Sequence, residues 1–600
     1  MNIQKIYQQR RDDFQAKARK HSGKANRLSI ARIVVFVTGV IAIIYFANAR
    51  QSWSAFICLL ITAIIFGWLL KRYNKITFLR NHNNFLSQIN DAAIQRVQVN
   101  LKGLDTGEEF LNNTHYYAND LDVFGQNSLF QLLNHTSTAS GREKLAQYLQ
   151  YPFNISKIEQ YQQSSQELST DVDWVQEFIA LGKHFKEEQN YNKTFFSWIN
   201  AENLIKNKAV NFLVSNLLSL VAISTIIMWL LGEVSFMAFI YVAILNGIVI
   251  FTYKNKLQET TEKTDESAKA LAAYELLIEK LENSSFKAEQ LKQLQTQLKN
   301  EEIKASKAIK KLKDIIYLLA SRGNMFYWML NVIFMLDLRL LKIAENWKSR
   351  SKQYIEKWFD VVNEFEFINC IAAFSHAHPN YTYPVIKNEG NYFDAQHMGH
   401  PLIKPEKRVN NDFEITPENN IILVTGSNMA GKSTFLRTVG TNLVLAQLGA
   451  PVCANQFQTS PFLVFTSMRT QDNLEENISS FYAELKRIKQ LLDLIPHSEL
   501  TVFFMLDELL KGTNSRDRHK GAMALVQQLH NKNLTGMVST HDLELAVMEQ
   551  NLEKVVNYSF ESALKDGELF FDYKIHKGVT ESFNASILMH KMGIEVDTDQ

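Results

Sequence analysis

Nine consecutive residues, GSNMAGKST, bring two glycines, one lysine and several hydroxyls into a single loop: Gly426, Ser427, Asn428, Met429, Ala430, Gly431, Lys432, Ser433 and Thr434. The run before them, IILVT at 421–425, is a short buried-strand pattern, and the run after, STFLRTVGTNLVLAQLG, has the period of an amphipathic helix. Strand, glycine-rich loop and helix in that order make a phosphate-binding P-loop. Gly426 and Gly431 let backbone N–H groups curl around phosphates, Lys432 reaches the β- and γ-phosphates, and the Ser433 hydroxyl sits on Mg²⁺. A second apolar run, TVFFML at 501–506, delivers Asp507 and Glu508. Two carboxylates at a strand end suit phosphoryl transfer, with Asp507 holding Mg²⁺ through water and Glu508 polarising the attacking water. Lys511-Gly512-Thr513-Asn514 follows as a tight polar loop. A third strand-like run, 535–538, leads into Ser539-Thr540-His541 and sets an imidazole where it would sense the γ-phosphate. ATP and Mg²⁺ are the expected ligands.

These phrases resemble the MutS family of DNA mismatch-repair ATPases, whose ATPase is related to that of ABC transporters. TGSNMAGKSTFLRTVGTNLVLAQLGAPVCA is similar to the family's TGPNMAGKST followed by A-Q-x-G-x-x-V-x-A, with Ser427 where the family usually has proline. LDELLKGTNSRD resembles LDEIGRGTSTYD, and STHDLEL resembles ATHYFEL. DNLEENISSFYAEL, at 472–485, is similar to a family phrase ending STFMVEM. That resemblance implies that Ser479 reaches across a dimer to the γ-phosphate of the neighbouring subunit. GHPLI at 399–403 and the Asn411-Asp412 pair resemble the region that flanks the adenine, which adds Asn411 to the nucleotide-binding set. LDVFGQNSLFQLLNHTSTASGREKL resembles the opening of the helical core domain, NEFEFINCIAAFSHAHPNYTYP the connector helix, and KIHKGVTESFNAS the terminal phrase. Covering 115–155 and 360–593, the resemblance implies an α/β P-loop ATPase domain of the ABC/MutS kind, a homodimer through that domain, and DNA as a partner.

The elements upstream are of another character. Residues 33–49 and 53–70 contain no charge, and each is close to the roughly 20 residues needed to cross a hydrocarbon core. Residues 210–231 and 234–253 repeat the pattern around Gly232 and Glu233. The pattern predicts two membrane hairpins, four transmembrane helices in all. Lys17, Arg19, Lys20, Lys24, Arg27 and Arg32 precede the first span, Lys71, Arg72 and Lys75 follow the second, and Lys206, Lys208, Lys254 and Lys256 flank the other pair. The positive-inside bias puts everything but two short turns in the cytoplasm, as in a bacterial inner membrane. Core helices can be wholly apolar too, and Ala47-Asn48-Ala49 mimics a signal-peptide cleavage site, but four long uncharged runs with matched basic flanks argue for spans.

The predicted organisation is a basic segment 1–32, hairpin 33–70, a helical core-like region 76–209, hairpin 210–253, a helical lever and connector 254–384, and the ATPase domain 385–600. In the first helical region, Thr138 or Ser140 is expected to cap the helix that follows. Residues 254–360 are charged and Leu-rich and read as long solvated levers, with a lysine face at Lys304, Lys307, Lys310, Lys311 and Lys313. The 64 basic against 62 acidic residues give a net charge of +2, so no chain-wide polyanion signature exists. Three scattered cysteines exclude a disulfide framework. The family's mismatch reader, an amino-terminal α/β domain with a Phe-x-Glu wedge, has its place taken by the first hairpin; Phe185-Lys186-Glu187 reads as packing. Two functions remain in contention. One is a membrane-anchored ATPase that engages DNA; the other is a mechanochemical membrane ATPase acting on a protein or membrane partner.

Overall fold

The computed structural model describes residues 3–579 apart from 152, 185–190, 204–207, 265–266, 300–303, 389, 428, 470–479 and 566–567. Asn428, Ser479 and the Phe185-Lys186-Glu187 string therefore lie outside the described residues.

The chain opens with an antiparallel pair, α1 (Ile3–Asn48) and α2 (Ser52–Val97), of 46 residues each. At 1.5 Å per residue each is about 69 Å long, more than twice a hydrocarbon core. The basic segment is thus no separate element, because nothing between residues 3 and 48 breaks the helix. The outer half, around residues 33–70, leaves its apolar side chains bare, with Ile33 62% and Trp53 81% exposed. At Gly39 the two helices touch: a Cβ there would lie 2.4 Å from Thr62 Cγ2. The inner half packs on the body through Tyr7, Ala93 and Ile94, and Arg10 pairs with Asp173 at 2.5 Å.

Next come α3 (Leu129–Leu133), α4 (Ala139–Gln150), α5 (Ile155–Ser169), α6 (Val172–Gly182) and α7 (Tyr191–Asn200). Thr138 is the cap of α4, its hydroxyl accepting from Gly141 N at 3.0 Å, and Ser140 falls inside the first turn. Helices α8 (Lys208–Leu230) and α9 (Phe236–Thr252) form the second apolar hairpin, and α10 (Lys254–Thr264) departs from α9 at a 53° bend. Among the described residues three helices are long and apolar enough to cross a membrane, or four if that bent pair counts as one span.

Helices α11 (Ser267–Glu282), α12 (Glu289–Thr296) and α13 (Ala305–Ala320) return to the body. They are not the solvated levers expected. Leu271, Tyr274, Leu277, Ile309 and Leu312 are all buried, and Lys313 pairs with Glu275 across the two helices. α14 (Met325–Phe334) packs beside the second hairpin, and α15 (Leu336–Ala377) runs about 62 Å from there to the carboxy-terminal domain. Glu366 of α15 is buried against the turn before α4, accepting from Ser137 N at 2.7 Å and Thr138 N at 3.2 Å.

The carboxy-terminal domain carries the strands β1 (Val385–Ile386), β2 (Phe393–Met398), β3 (Asn411–Ile415), β4 (Ile421–Gly426), β5 (Gln456–Thr459), β6 (Phe462–Ser467), β7 (Thr501–Asp507), β8 (Thr535–Ser539), β9 (Val555–Lys565) and β10 (Glu568–Lys577). Between them lie α16 (Lys432–Gln447), α17 (Ser480–Leu494), α18 (Ser515–Asn531) and α19 (Met548–Asn551). One sheet has the order β1-β5-β2-β3; the other, β10-β9-β4-β8-β7-β6, is parallel from β9 through β6. All six residues of β4 are buried, as a central parallel strand covered on both faces requires.

Candidate functional site

Because β4, β8 and β7 are parallel neighbours, their carboxyl ends lie side by side at one edge of the sheet, where open α/β sheets place their ligands. β4 ends in the glycine loop, β7 in Asp507-Glu508, and β8 in Ser539-Thr540-His541. The three stretches singled out from sequence thus converge.

The loop needs its glycines. Gly426 has φ 140° and a Cβ would lie 2.6 Å from Phe560 O, while Gly431, at φ 110°, caps α16. The first intrahelical bond runs from Phe435 N to Gly431 O at 2.9 Å, so the N–H groups of Lys432, Ser433 and Thr434 point out of the helix start. Lys432 is buried to 4% exposure and donates to Gly426 O and Ser427 O, both at 2.9 Å. Burial draws its ammonium pKa down to about 8. Ser427 buries a hydroxyl with no hydrogen-bond partner among the described residues, Ala430 is buried, and Met429 is 77% exposed.

Across the loop, His541 faces acceptors with both ring nitrogens. Nδ1 donates to Gly426 O at 2.8 Å, and Nε2 lies 2.7 Å from Glu508 Oε1 and 3.5 Å from Lys432 Nζ. Lys511 Nζ stands 3.1 Å from the other Glu508 oxygen. The His541 hydrogen bond, followed by the Lys511 charge, holds the Glu508 carboxyl down to about 2 against the opposing effect of burial. Asp507 accepts from the Ser539 hydroxyl through Oδ1. Asn411, at the start of β3, is buried and spends its amide on β10: Nδ2 donates to Tyr573 O at 3.1 Å and Oδ1 accepts from Ile575 N at 2.9 Å.

The sheet edge carries a helix N-terminus, a buried ammonium and two carboxylates, a set suited to a polyphosphate and a divalent cation. Residues 422–592 match the family MutS domain V. Over this stretch the chain is similar to the MutS family. It is 30% identical over 236 residues to the DNA mismatch repair protein MutS of Macrococcus caseolyticus, a stretch of 38% of this chain and 27% of that protein. Similarity to the DNA mismatch repair protein MutS of Fusobacterium nucleatum is 28% over 239 residues, 38% of this chain and 26% of that one. The Endonuclease MutS2 of Bacillus velezensis is 26% identical over 258 residues, 43% of this chain and 32% of that one. The matched stretch is therefore a third or less of each relative's length.

Two residues around the site, one in this domain and one in the helical body, were passed over by the sequence reading. Glu484 of α17 is buried and accepts from Leu510 N, and from Lys511 N at 3.1 Å, fixing the loop after β7. In that loop Glu508 and Leu510 both have left-handed backbones, φ 53° and 60°, conformations that persist only where neighbours enforce them. Asp120, from the helical body, accepts from Thr466 Oγ1 at 2.7 Å, Met468 N at 3.1 Å and Arg469 N at 3.0 Å at the exit of β6. The signal for Glu484 was a lone carboxylate on an amphipathic helix; for Asp120 no local pattern pointed to its partners, which lie some 350 positions away in the chain.

Proposed function

We propose that this chain is a membrane-anchored MutS-like ATPase that binds and hydrolyses ATP with Mg²⁺ and acts on DNA through ATP-driven closure of a homodimer. The observation that carries the reading is the meeting of three strand ends: His541 bridges the Gly426 carbonyl and Glu508 at 2.8 and 2.7 Å, beside Lys432. DNA enters through the relatives, two of them named for DNA mismatch repair.

The donor set fits ATP. Gly426 and Gly431 leave room for a backbone cradle, the α16 N-terminus favours anions, and the Lys432 ammonium is held by two carbonyls beside His541 and makes no ion pair among the described residues, so phosphate oxygens can replace the carbonyls without breaking one. Ser427, Asn428, Met429, Ala430 and Thr434 complete the loop, and Asn411 positions β10 beside it. Ser433 and Asp507 would hold Mg²⁺, which supplies charge neutralisation at the transferred phosphoryl group. Glu508, ionised through the neutral range, is the general base, and His541 holds it against the loop. Ser479 would complete the site of the neighbouring subunit.

On this reading residues 33–70 and 210–253 are membrane hairpins, the segments 1–32, 76–209 and 254–384 and the ATPase domain 385–600 are cytoplasmic, and the setting is a bacterial inner membrane. The exposed apolar band on α1 and α2 favours a second reading, a mechanochemical membrane ATPase whose partner is a protein or the bilayer rather than DNA. Detergent-purified full chain, assayed for ATP turnover and for binding to duplex, mismatched and branched DNA over a salt series, separates the two. The DNA reading expects binding that weakens steeply with salt and alters turnover. Weak, salt-insensitive binding with no effect on turnover sinks it and leaves the second.

A further inference from the structure

The second apolar hairpin has a third member. α14 has ten residues, too few to cross a bilayer, and lies against both α8 and α9. Asn246 of α9, fully buried, donates from Nδ2 to Val332 O of α14 at 2.8 Å. Among these helices lies a cavity of about 880 Å³ with apolar walls, including Ile226, Trp229, Phe239, Ile244, Phe251 and Trp328. A second cavity of about 480 Å³ shares Gly247, Phe251 and Trp328 with the first and ends on charge, at Lys254, Arg322 and Asp337.

The charged end is positive on balance. Asp337 is engaged twice over: Arg322 donates to its two oxygens at 3.1 and 3.0 Å, and Tyr327 donates its hydroxyl at 2.6 Å. Lys254 is exposed and makes no ion pair among the described residues. Two cations therefore share one carboxylate that is already engaged. The apolar chamber is lined from Phe236 to Phe251, sixteen residues of α9 whose fifteen rises of 1.5 Å span about 22 Å, against a hydrocarbon core of about 30 Å. Lys254 marks the basic, cytoplasmic end of the hairpin.

We propose that this cavity binds an anionic phospholipid of the cytoplasmic leaflet, its phosphate at Lys254 and Arg322 and one acyl chain along α9 and α14. The inference rests on the membrane reading of the hairpins given above. A soluble phosphate compound would leave the apolar chamber unused, and an uncharged lipid would leave the cations unmatched. Gly247 stands where the two cavities join, and a Cβ there would meet nothing within 4 Å, so the space beside it is open to an acyl chain.

The test uses the full chain in nanodiscs of phosphatidylcholine with a minor share of phosphatidylglycerol. The protein is recovered in mild detergent and its retained lipid is measured by mass spectrometry. Phosphatidylglycerol should be enriched over its bulk share, and Lys254→Gln should cut that enrichment about fivefold, the effect of one cation near an anionic lipid surface. Gly247→Leu should do the same by filling the junction, and leucine is the better helix former. Because Lys254 is exposed, its variant keeps the test valid if Gly247→Leu does not fold. Retained lipid of bulk composition, or enrichment unchanged by Lys254→Gln, overturns the lipid site and leaves the membrane reading intact. Release of the wild-type chain from membranes by alkaline carbonate overturns that reading, and the lipid site with it.

Discussion

Glu508→Gln keeps the shape of the side chain and removes its charge. In the folded chain that carboxylate lies 2.7 Å from His541 Nε2 and 3.1 Å from Lys511 Nζ, and its pKa is held at about 2 against an ordinary 4.5. Unscreened, the difference corresponds to about 3 kcal/mol favouring the ionised folded state. The side chain is 24% exposed, so solvent removes a good part of that, and a loss of about 1–2 kcal/mol on substitution is expected. The sign follows from the depressed value. The stabilisation is complete above about pH 4.5 and lost as pH falls toward about 2, so the gap between wild type and variant closes in acid. The larger consequence is chemical. An amide cannot take a proton from the attacking water, so turnover should fall by about 10²–10⁴-fold while nucleotide still binds. Single-turnover hydrolysis, fluorescent-nucleotide titration and melting at neutral and acid pH measure the three quantities separately. Hydrolysis at the wild-type rate would refute the assignment of Glu508 as base, whatever the melts showed.

Two further perturbations reach other parts of the site. Lys432, drawn down to about 8 by burial, is increasingly neutral above that pH, so nucleotide affinity should weaken as pH rises through about 8 and binding should take up a proton there. Calorimetry in buffers of different ionisation enthalpy reads the proton directly, and pH-independent affinity would count against a phosphate role for Lys432. Asp120→Asn puts an amide N–H₂ toward donors at the β6 exit, which should cost about 1–3 kcal/mol in a thermal melt and lower turnover with it. A variant as stable and active as wild type would show that these bonds do not hold the site.

The convergence of these stretches at the sheet edge was legible because each part is encoded locally. A glycine pair, a lysine at the helix start and carboxylates after an apolar strand carry their meaning within a few residues, and parallel pairing of β4, β8 and β7 then brings the parts together. Thr138 as a cap was legible for the same reason. Pairings between distant segments were not. Nothing around Asp120 points to Thr466, and nothing around Glu366 points to Ser137, because both carboxylates are satisfied by hydroxyls and backbone N–H groups brought close only by the fold. Helices α11 and α13 were misread because their Lys and Glu residues suggest a solvated surface, while the faces they bury are broad and rich in alanine, as at Ala268, Ala272 and Ala308. The break between α9 and α10 falls between Thr252 and Lys254, in a stretch where neither glycine nor proline announces a bend.

The anchors around residues 470–479 bear on how the two halves of the protein communicate. Before that segment, Asp120 fixes Thr466, Met468 and Arg469; after it, Arg487 of α17 donates to the carbonyls of His115 at 2.8 Å and Tyr116 at 2.7 Å. Thr466, Met468 and Arg469 on one side of the phrase that carries Ser479, and Arg487 on the other, thus bind the helical body as well as their own domain. That body is built on α15, which holds the turn before α4 through Glu366 and ends, forty residues and about 60 Å from Ala377, at Asp337 beside α14. If dimer closure draws Ser479 toward a neighbouring nucleotide, the pull reaches the body through Asp120 and Arg487, and α15 is one continuous route from the body to the second hairpin. On the proposed reading of the chain as an ATPase with membrane hairpins, this one unbroken helix would give the sheet-edge site and the pair of apolar helices a direct mechanical path between them.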